Sequence, residues 1–314
     1  MMPGSARSRA VLLLAGTTCS GKTALAIELA KRFGAEIVGA DSRQIYRRMT
    51  IGTAAPTVAE RAAVPHHLVD FLDPHERYSA ARFASDALAA VEAIHRRGRN
   101  VIVAGGTGFY LRALAGDVAL AAARDESLRA RLAREATAHP PEVLHAWLSA
   151  RDPLRAAALA PGDRYRIVRA LEIALSRDEA AADVPQLSLR SANVPFVKVF
   201  LDVPPEVVDE RIAERVERML AAGLLDEAER IGRDAVAADA VGYPQALAYL
   251  AGFSTATELR AALERATRRY AKRQRTWFRS ERDVHRLAAE AVTAFVRREL
   301  GWSGSSEFEG GAAF

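Results

Sequence analysis

The segment Gly16-Thr17-Thr18-Cys19-Ser20-Gly21-Lys22-Thr23 decides the fold of this chain. It has the pattern G-x-x-x-x-G-K-[ST], with the apolar run 11–15 before it and a helical pattern after it. A strand, glycine turn and helix in this order form a P-loop, in which backbone amides and the helix N-terminus attract phosphate. We predict that residues 16–23 bind a diphosphate or triphosphate, with Lys22 as a point charge and the Thr23 hydroxyl as a Mg²⁺ ligand. The competing interpretation is an ordinary glycine-rich turn.

The pattern around this loop predicts an α/β protein. Apolar runs recur at 35–39, 67–71, 100–104 and 197–202, and most of them are followed by helical patterns, which is typical of a parallel sheet flanked by helices. Residues 119–194 break this alternation, because they are rich in Ala and Arg and have helical periodicity. The sequence therefore predicts a P-loop NTPase-like core at 10–118 and 195–300. It also predicts a helical insertion domain at 119–194 and a disordered tail at 301–314.

Composition limits the class of protein. The chain of 314 residues has 44 Lys plus Arg against 39 Asp plus Glu, a net charge of +5, and one cysteine, Cys19. One cysteine excludes an internal disulfide and fits a reducing compartment. The apolar run 11–15 is much shorter than a membrane span. We expect a cytoplasmic monomer with no membrane partner.

Two further turns follow strand patterns. Asp41, in Gly39-Ala40-Asp41-Ser42-Arg43-Gln44, stands at the carboxyl end of a strand, where open α/β sheets bind ligands, and so could act as a base. Thr107, in Gly105-Gly106-Thr107-Gly108, could contact a phosphate or a polar substrate group, since the glycines permit close backbone approach. The alternative for both turns is that Asp41, Ser42 or Thr107 only caps a helix.

A strongly basic helical segment lies near the C-terminus. Between Arg260 and Arg286 there are ten Lys or Arg and three acidic residues, a local charge of +7. Helical spacing puts Tyr270, Arg273 or Gln274, and Trp277 on one face. Such a strip could contact the phosphates and unstacked bases of an RNA loop. The alternative is that Tyr270 and Trp277 anchor the helix to the core and that the cations form a solvated face.

Taken in order, these motifs resemble the tRNA dimethylallyltransferase (isopentenyl-tRNA transferase, or IPP transferase) family. The resemblance covers about residues 10–280. Its blocks are 16–23, 41–46, 51–54, 65–70, 105–107, 163–172, 211–216, 241–243 and 270–277. Several independent blocks in one order make the resemblance specific.

The resemblance implies an enzyme that transfers a dimethylallyl group from dimethylallyl diphosphate to the exocyclic N6 of the adenosine 3′-adjacent to a tRNA anticodon. Diphosphate leaves, and Mg²⁺ is the implied cofactor. Asp41 matches the residue that accepts the amine proton, Thr107 matches a second substrate contact, and Arg215 matches a diphosphate-binding arginine, with Arg211 one helical turn away. The tRNA contacts predicted from the resemblance and from the basic segment are Asp41, Ser42, Arg43, Gln44, Thr107, Arg129, Tyr165, Arg166, Ile167, Val168, Arg169, Gly242, Tyr243, Gln245, Lys272, Arg273, Gln274, Arg275, Trp277 and Arg279.

The chain departs from the family pattern at four positions, and two other functions stay open. Thr17, Arg48, Ala55 and Pro244 stand where the family usually has Pro, Gly, Lys and a basic residue, so a cation that could contact RNA phosphate is missing at the last two. A small-molecule or nucleotide kinase would have the same P-loop, with Asp41 activating a hydroxyl, but it leaves the basic helix unexplained. A nucleotide-gated RNA-binding protein without catalysis explains the charge but gives Asp41 no task.

Overall fold

The computed structural model of the protein describes residues 9–118, 126–176 and 187–304. The chain divides into two compact units, of which the larger is Met1–Val118 with Leu187–Phe314 and the smaller is Ala119–Gln186. Residues 187–194, which the sequence pattern placed in the insertion, group with the larger unit. Leu189 is fully buried there, and its N–H donates to the Leu114 carbonyl at 2.7 Å. The predicted boundary at 194 therefore lies too far along the chain.

The larger unit is built on a six-stranded sheet in which every paired strand is parallel. The strands are β1 (Val11–Gly16), β2 (Ala35–Gly39), β3 (His66–His67), β4 (Asn100–Gly105), β5 (Phe196–Leu201) and β6 (Val284–Leu287), in the order β3-β2-β4-β1-β5-β6. Because β1 lies between β4 and β5 and is buried along its whole length, the loop that follows it leaves the middle of the sheet. The predicted α/β fold with a parallel sheet is confirmed.

The helices of the larger unit connect its strands and cover both faces of its sheet, and the smaller unit contributes further helices. In chain order they are α1 (Lys22–Phe33), α2 (Thr50–Thr53), α3 (Val58–Ala63), α4 (Ala80–Arg96), α5 (Gly108–Ala115), α6 (Glu126–Ala138), α7 (Pro141–Arg151), α8 (Pro153–Ala157), α9 (Arg164–Ser176), α10 (Pro205–Ala221), α11 (Leu224–Ile231), α12 (Tyr243–Leu250), α13 (Ala256–Arg279) and α14 (Ala289–Leu300). Leu12 and Leu14 of β1 pack against α1 and α14, whereas Leu13 packs in the cluster formed with α4 and α5. This alternation is the two-residue period of a strand buried on both faces.

Helices α6 to α9 belong to the smaller unit. Leu144, Leu148, Ile167 and Leu171 form the centre of its apolar core. Across the described residues of both units, no helix is both long enough and apolar enough to cross a membrane.

The structure differs from the sequence pattern at three places. The strand expected at 67–71 ends at His67, because Leu68 and Asp70 have φ values of 56° and 55°, which strands do not accommodate. The apolar runs of the sequence do not include β6, an edge strand whose exposed His285 and Arg286 interrupt its apolar pattern. The tail is expected to be disordered from 301, but its first residues pack against the core. Trp302 is buried against Phe33, with ring centroids 5.8 Å apart. Residues 305–314 lie outside the described part of the chain.

Candidate active site

The P-loop turn has the backbone geometry that its glycine-rich sequence predicts. Gly21 precedes α1 with a φ of 85°, and Cys19 has a φ of 60°, so the chain turns twice through the left-handed region. The Ser20 N–H donates to the Thr17 carbonyl at 3.3 Å and closes the turn. Since Gly21 has no side chain to cap the first amides of α1, those amides stay open to an anion.

The charge of Lys22 depends on groups from distant parts of the chain. Burial lowers the pKa of Lys22, the Asp41 carboxylate opposes that change, and the Arg215 guanidinium adds to it. Asp41 and Arg215 therefore lie close enough to Lys22 to influence its pKa. A bound diphosphate would stabilise the protonated ammonium in this setting, because it would bring negative charge to two neighbouring cations.

Two arginines of α10 lie against the P-loop. Arg215 Nη1 donates to Thr18 Oγ1 at 3.0 Å, and Arg211 Nη1 reaches the Cys19 carbonyl at 3.5 Å. Arg215 is partly buried, whereas Arg211 is exposed. The two guanidinium groups add positive charge to the loop, so Arg215 is more than a solvated surface residue.

The turns after β2 and β4 meet through Thr107. The Ser42 N–H donates to Thr107 Oγ1 at 2.9 Å, and the Thr107 N–H donates to the Ala40 carbonyl at 3.2 Å. Thr107 precedes α5 but makes no side-chain capping bond to it, so the helix-cap interpretation does not describe its hydroxyl. A Cβ at Gly105 would lie 2.0 Å from the Ala40 carbonyl oxygen, so only glycine lets the two turns touch.

Asp41 is partly exposed within this contact. Its Oδ1 accepts a hydrogen bond from the Arg43 N–H at 2.9 Å. The next helix, α2, begins only at Thr50, so Asp41 and Ser42 do not cap a helix directly after them. The carboxylate is thus held at the carboxyl edge of the sheet by a short local turn.

Behind this turn, a buried acid holds α2. The Glu227 carboxylate accepts hydrogen bonds from the Ile51 N–H at 2.9 Å, the Gly52 N–H at 2.7 Å and the Tyr243 hydroxyl at 2.7 Å. Gln44 Nε2 donates to the carbonyls at the other end of α2, those of Thr53 and Ala54, at 3.1 and 2.9 Å. Sequence reasoning missed Glu227, because nothing in the sequence distinguishes this glutamate from the other acidic residues of the same helical stretch.

Helix α13 contributes Tyr270 to the same region. Burial raises the pKa of Tyr270, and Asp41, Arg43 and Arg215 are among the charges that act on its hydroxyl. Arg273 lies over the Tyr270 ring at 5.7 Å. The sequence placed Tyr270 on an RNA-facing strip or in a structural anchor and did not connect it with Asp41.

Other residues of the predicted RNA surface have varied surroundings. Lys272, Arg273 and Arg279 are exposed on α13, and Arg275 is partly buried. Trp277 packs against the core under the Arg112 guanidinium, 4.4 Å from the ring, as the anchoring alternative describes.

Near the start of α12, the Gly242 N–H donates to Gln245 Oε1 at 2.9 Å. Arg43 forms an ion pair with Asp239 at 2.8 Å.

Three of the predicted tRNA contacts are wrong as side-chain contacts. Gln274 is 6 % exposed, and its amide is bonded to the backbone of Thr18 and Gly106. Tyr243 is 0 % exposed and bonded to Glu227, and Ile167 is 0 % exposed in the core of the smaller unit, so neither side chain can reach RNA.

Within the smaller unit, the other predicted contacts lie on α6 and α9. Tyr165 is 76 % exposed, and the neighbouring Arg166 is exposed as well. Arg169 is paired with the buried Glu172 at 2.7 Å. Val168 and Arg129 are partly buried. Tyr165 and Arg166 are therefore the more accessible of the predicted contacts in this unit.

Comparison with known proteins agrees with this geometry. Residues 44–281 match the family model described as IPP transferase. A tRNA dimethylallyltransferase of Anaeromyxobacter sp. (strain K) is 45% identical over 295 residues, which cover 92% of this chain and 97% of the relative. One of Geobacter metallireducens is 42% identical and covers 87% of this chain and 91% of the relative.

Solved structures show the same similarity. The full-length tRNA isopentenylpyrophosphate transferase of Bacillus halodurans superposes with a TM-score of 0.67 at 35% identity and covers 93% of this chain and 97% of that one. A eukaryotic dimethylallyltransferase acting on tRNA superposes with a TM-score of 0.71 at 27% identity and covers 93% of this chain and 77% of that one. By sequence and by fold, this chain belongs to the IPP transferase family.

Proposed function

We propose that this protein transfers a dimethylallyl group from dimethylallyl diphosphate to the exocyclic N6 of the adenosine 3′-adjacent to a tRNA anticodon, with release of diphosphate. The observation that carries the proposal is that the P-loop and the Asp41 turn follow the parallel strands β1 and β2 and so lie at the same edge of the sheet. The names of the relatives, and the solved dimethylallyltransferase that acts on tRNA, support this substrate pair.

The P-loop side stabilises the leaving group. As the allylic carbon–oxygen bond breaks, negative charge grows on the diphosphate, and the loop amides, Lys22 and Arg215 are arranged to stabilise it. Arg215 is already oriented toward the loop through its bond to Thr18. These groups therefore lower the barrier without moving far during the reaction.

Mg²⁺ fits this site as an ion bound mainly through the diphosphate. Among the described residues, no group of three His, Cys, Asp or Glu could hold a metal. Thr23, partly buried in the first turn of α1, supplies one hydroxyl, and Mg²⁺ usually takes few protein ligands besides phosphate oxygens and water. When bound, the ion would supply further neutralisation of the diphosphate charge.

The Asp41 side activates the nucleophile. The adenine amine is a poor nucleophile, because its lone pair is delocalised into the ring. Its nitrogen forms a bond to the allylic carbon, the carbon–oxygen bond electrons leave with the diphosphate, and Asp41 accepts the amine proton. Ser42 and Thr107 hold the Asp41 turn, so the carboxylate is positioned before the substrate enters.

The experiment that tests this function is mass spectrometry of unmodified tRNA after incubation with the protein, Mg²⁺ and dimethylallyl diphosphate. We expect one dimethylallyl increment on a single anticodon-loop adenosine. The kinase alternative predicts phosphoryl transfer from ATP to an acceptor and no reaction with dimethylallyl diphosphate and tRNA, and that outcome would overturn the proposal. Binding of tRNA without any reaction would favour the non-catalytic alternative.

A further inference from the structure

Gln274 connects the two glycine turns of the site. It lies on the inner face of α13 and is only 6 % exposed. Its Oε1 accepts a hydrogen bond from the Thr18 N–H at 2.8 Å, and its Nε2 donates to the Gly106 carbonyl at 3.0 Å. Thr18 belongs to the P-loop after β1, and Gly106 belongs to the turn after β4. One side chain therefore bridges two segments that are far apart in sequence.

Only a primary amide of this length satisfies both partners. The Thr18 amide needs an acceptor, and the Gly106 carbonyl needs a donor. A carboxylate could not donate to Gly106, and a hydrocarbon would leave both backbone groups without their buried partner. The glycine is matched to the amide, since a Cβ at Gly106 would lie 2.2 Å from Gln274 Nε2.

The bridge restrains both halves of the site. Thr18 is held through its backbone by Gln274 and through its hydroxyl by Arg215, at 3.0 Å. Gly106 is followed directly by Thr107, whose hydroxyl accepts the bond from Ser42 beside Asp41. A shift of Gln274 would therefore disturb the curvature of the P-loop and the turn that holds the Asp41 loop.

The outer face of the same helix carries cations. Lys272 and Arg273, which immediately precede the buried Gln274, are both exposed. Because α13 carries both faces, tRNA bound to its outer face would act on the same helix that holds the bridge.

From this geometry we infer that Gln274 is a positioning residue that fixes the P-loop to the Thr107 turn and couples tRNA binding on α13 to diphosphate affinity. The inference rests on the proposed function, in that it assigns tRNA to the outer face of α13. Coupling between two binding sites is reciprocal, so tRNA should tighten diphosphate binding and diphosphate should tighten tRNA binding by the same factor.

The test measures binding of inorganic pyrophosphate with Mg²⁺ by calorimetry, with and without unmodified tRNA. For the unaltered protein we expect tRNA to tighten pyrophosphate binding by about fivefold or more. In Gln274→Leu and in Gln274→Glu, we expect pyrophosphate alone to bind about tenfold more weakly and the effect of tRNA to fall below about twofold. Gln274→Asn should not rescue binding, because its amide stops one methylene short. Thr276→Ala, an exposed change on the same helix, is the matched control.

Affinity for tRNA alone separates positioning from direct contact. We expect it to stay within about twofold in the Gln274 variants, since the side chain is buried. Unchanged pyrophosphate binding in the folded Glu variant, or a loss confined to tRNA affinity, would overturn the inference. A protein that shows the coupling but does not prenylate tRNA would keep the role of Gln274 and overturn the proposed function instead.

Discussion

The P-loop and the Asp41 turn lie at the same edge of the sheet, but they are built differently. The P-loop is eight consecutive residues, 16–23, and uses mainly backbone amides and the N-terminus of α1. The Asp41 turn depends on individual side chains, because Thr107 reaches Ser42 across 65 positions of the chain. The difference teaches that the geometry of the first region is set by its backbone, whereas that of the second depends on single side chains. Substitutions should therefore separate donor binding from proton transfer.

The largest effect is expected at Asp41. Asp41→Ala should lower kcat for dimethylallyl transfer by about 10²- to 10⁴-fold, because the amine loses its proton acceptor. Asp41→Asn keeps an acceptor for the Arg43 N–H but not a base, so it should be similarly slow. Single-turnover kinetics measure the rate, and calorimetry should show pyrophosphate binding unchanged or tighter. An unaltered rate in both variants would remove Asp41 from the chemistry.

Substitution of Lys22 should weaken donor binding, in contrast to substitution of Asp41, which should lower kcat without weakening it. Lys22→Ala should weaken pyrophosphate binding and lower kcat/KM by about 10²- to 10³-fold, because a cation is lost where the leaving-group charge develops. Affinity for tRNA should be nearly unchanged. Lys22→Arg keeps the charge and should recover part of the binding. Steady-state kinetics with varied donor measure the effect, and normal donor binding in Lys22→Ala would contradict the comparison.

Substitutions on the outer face of α13 should weaken tRNA binding without directly changing the P-loop or the Asp41 turn. Lys272→Gln and Arg279→Gln should each weaken tRNA binding several-fold and reduce the salt slope of log affinity by about one unit. Filter binding at several salt concentrations measures both quantities. Lys31→Gln, at the exposed C-terminal end of α1, is the control. Equal losses in the control would show that net charge, and not this face, attracts the tRNA.

The smallest effect on dimethylallyl transfer is expected at the other end of β2, where a substitution should change stability alone. The buried Glu36 accepts hydrogen bonds from Arg97 at 2.6 Å and from His67 at 2.7 Å. The Arg97 bond, with that of His67, outweighs the opposing effect of burial and keeps the pKa of Glu36 below its ordinary value. The stabilisation of the fold by ionised Glu36 is therefore present above the unfolded-state pKa and is lost as pH falls through the lower folded-state pKa. Glu36→Gln should cost about 1–3 kcal/mol at pH 7.

Chemical denaturation across pH checks this prediction. The stability difference between the unaltered protein and Glu36→Gln should narrow below about pH 4, while transfer kinetics at pH 7 stay normal. Glu290→Gln, an exposed change on α14, controls for the loss of one charge. A difference that stays constant through the acid range would show that ionisation of Glu36 does not stabilise the fold.

The parts of the site that could be predicted are those whose geometry is local. A P-loop is encoded within a few residues, so Gly21, Lys22 and Thr23 were placed correctly at the start of α1. Asp41 and Thr107 were selected as candidates because each follows a strand pattern. The direction of Tyr243 and the partners of Gln274 were not found, since they depend on which elements pack against α12 and α13.

By itself, the sequence determined the parallel sheet, the P-loop and the chemical groups available at its edge, because backbone turns and two-residue periodicity are short-range properties. Only the tertiary structure decided that Thr107 bonds to Ser42, that Glu227 supports α2 and that Gln274 joins two turns. Those contacts form when crossovers bring distant segments together, and a buried polar group takes the partner that the packing provides. The physical reason is that hydrogen-bond satisfaction in the interior is set by three-dimensional proximity, which residue type and spacing do not specify.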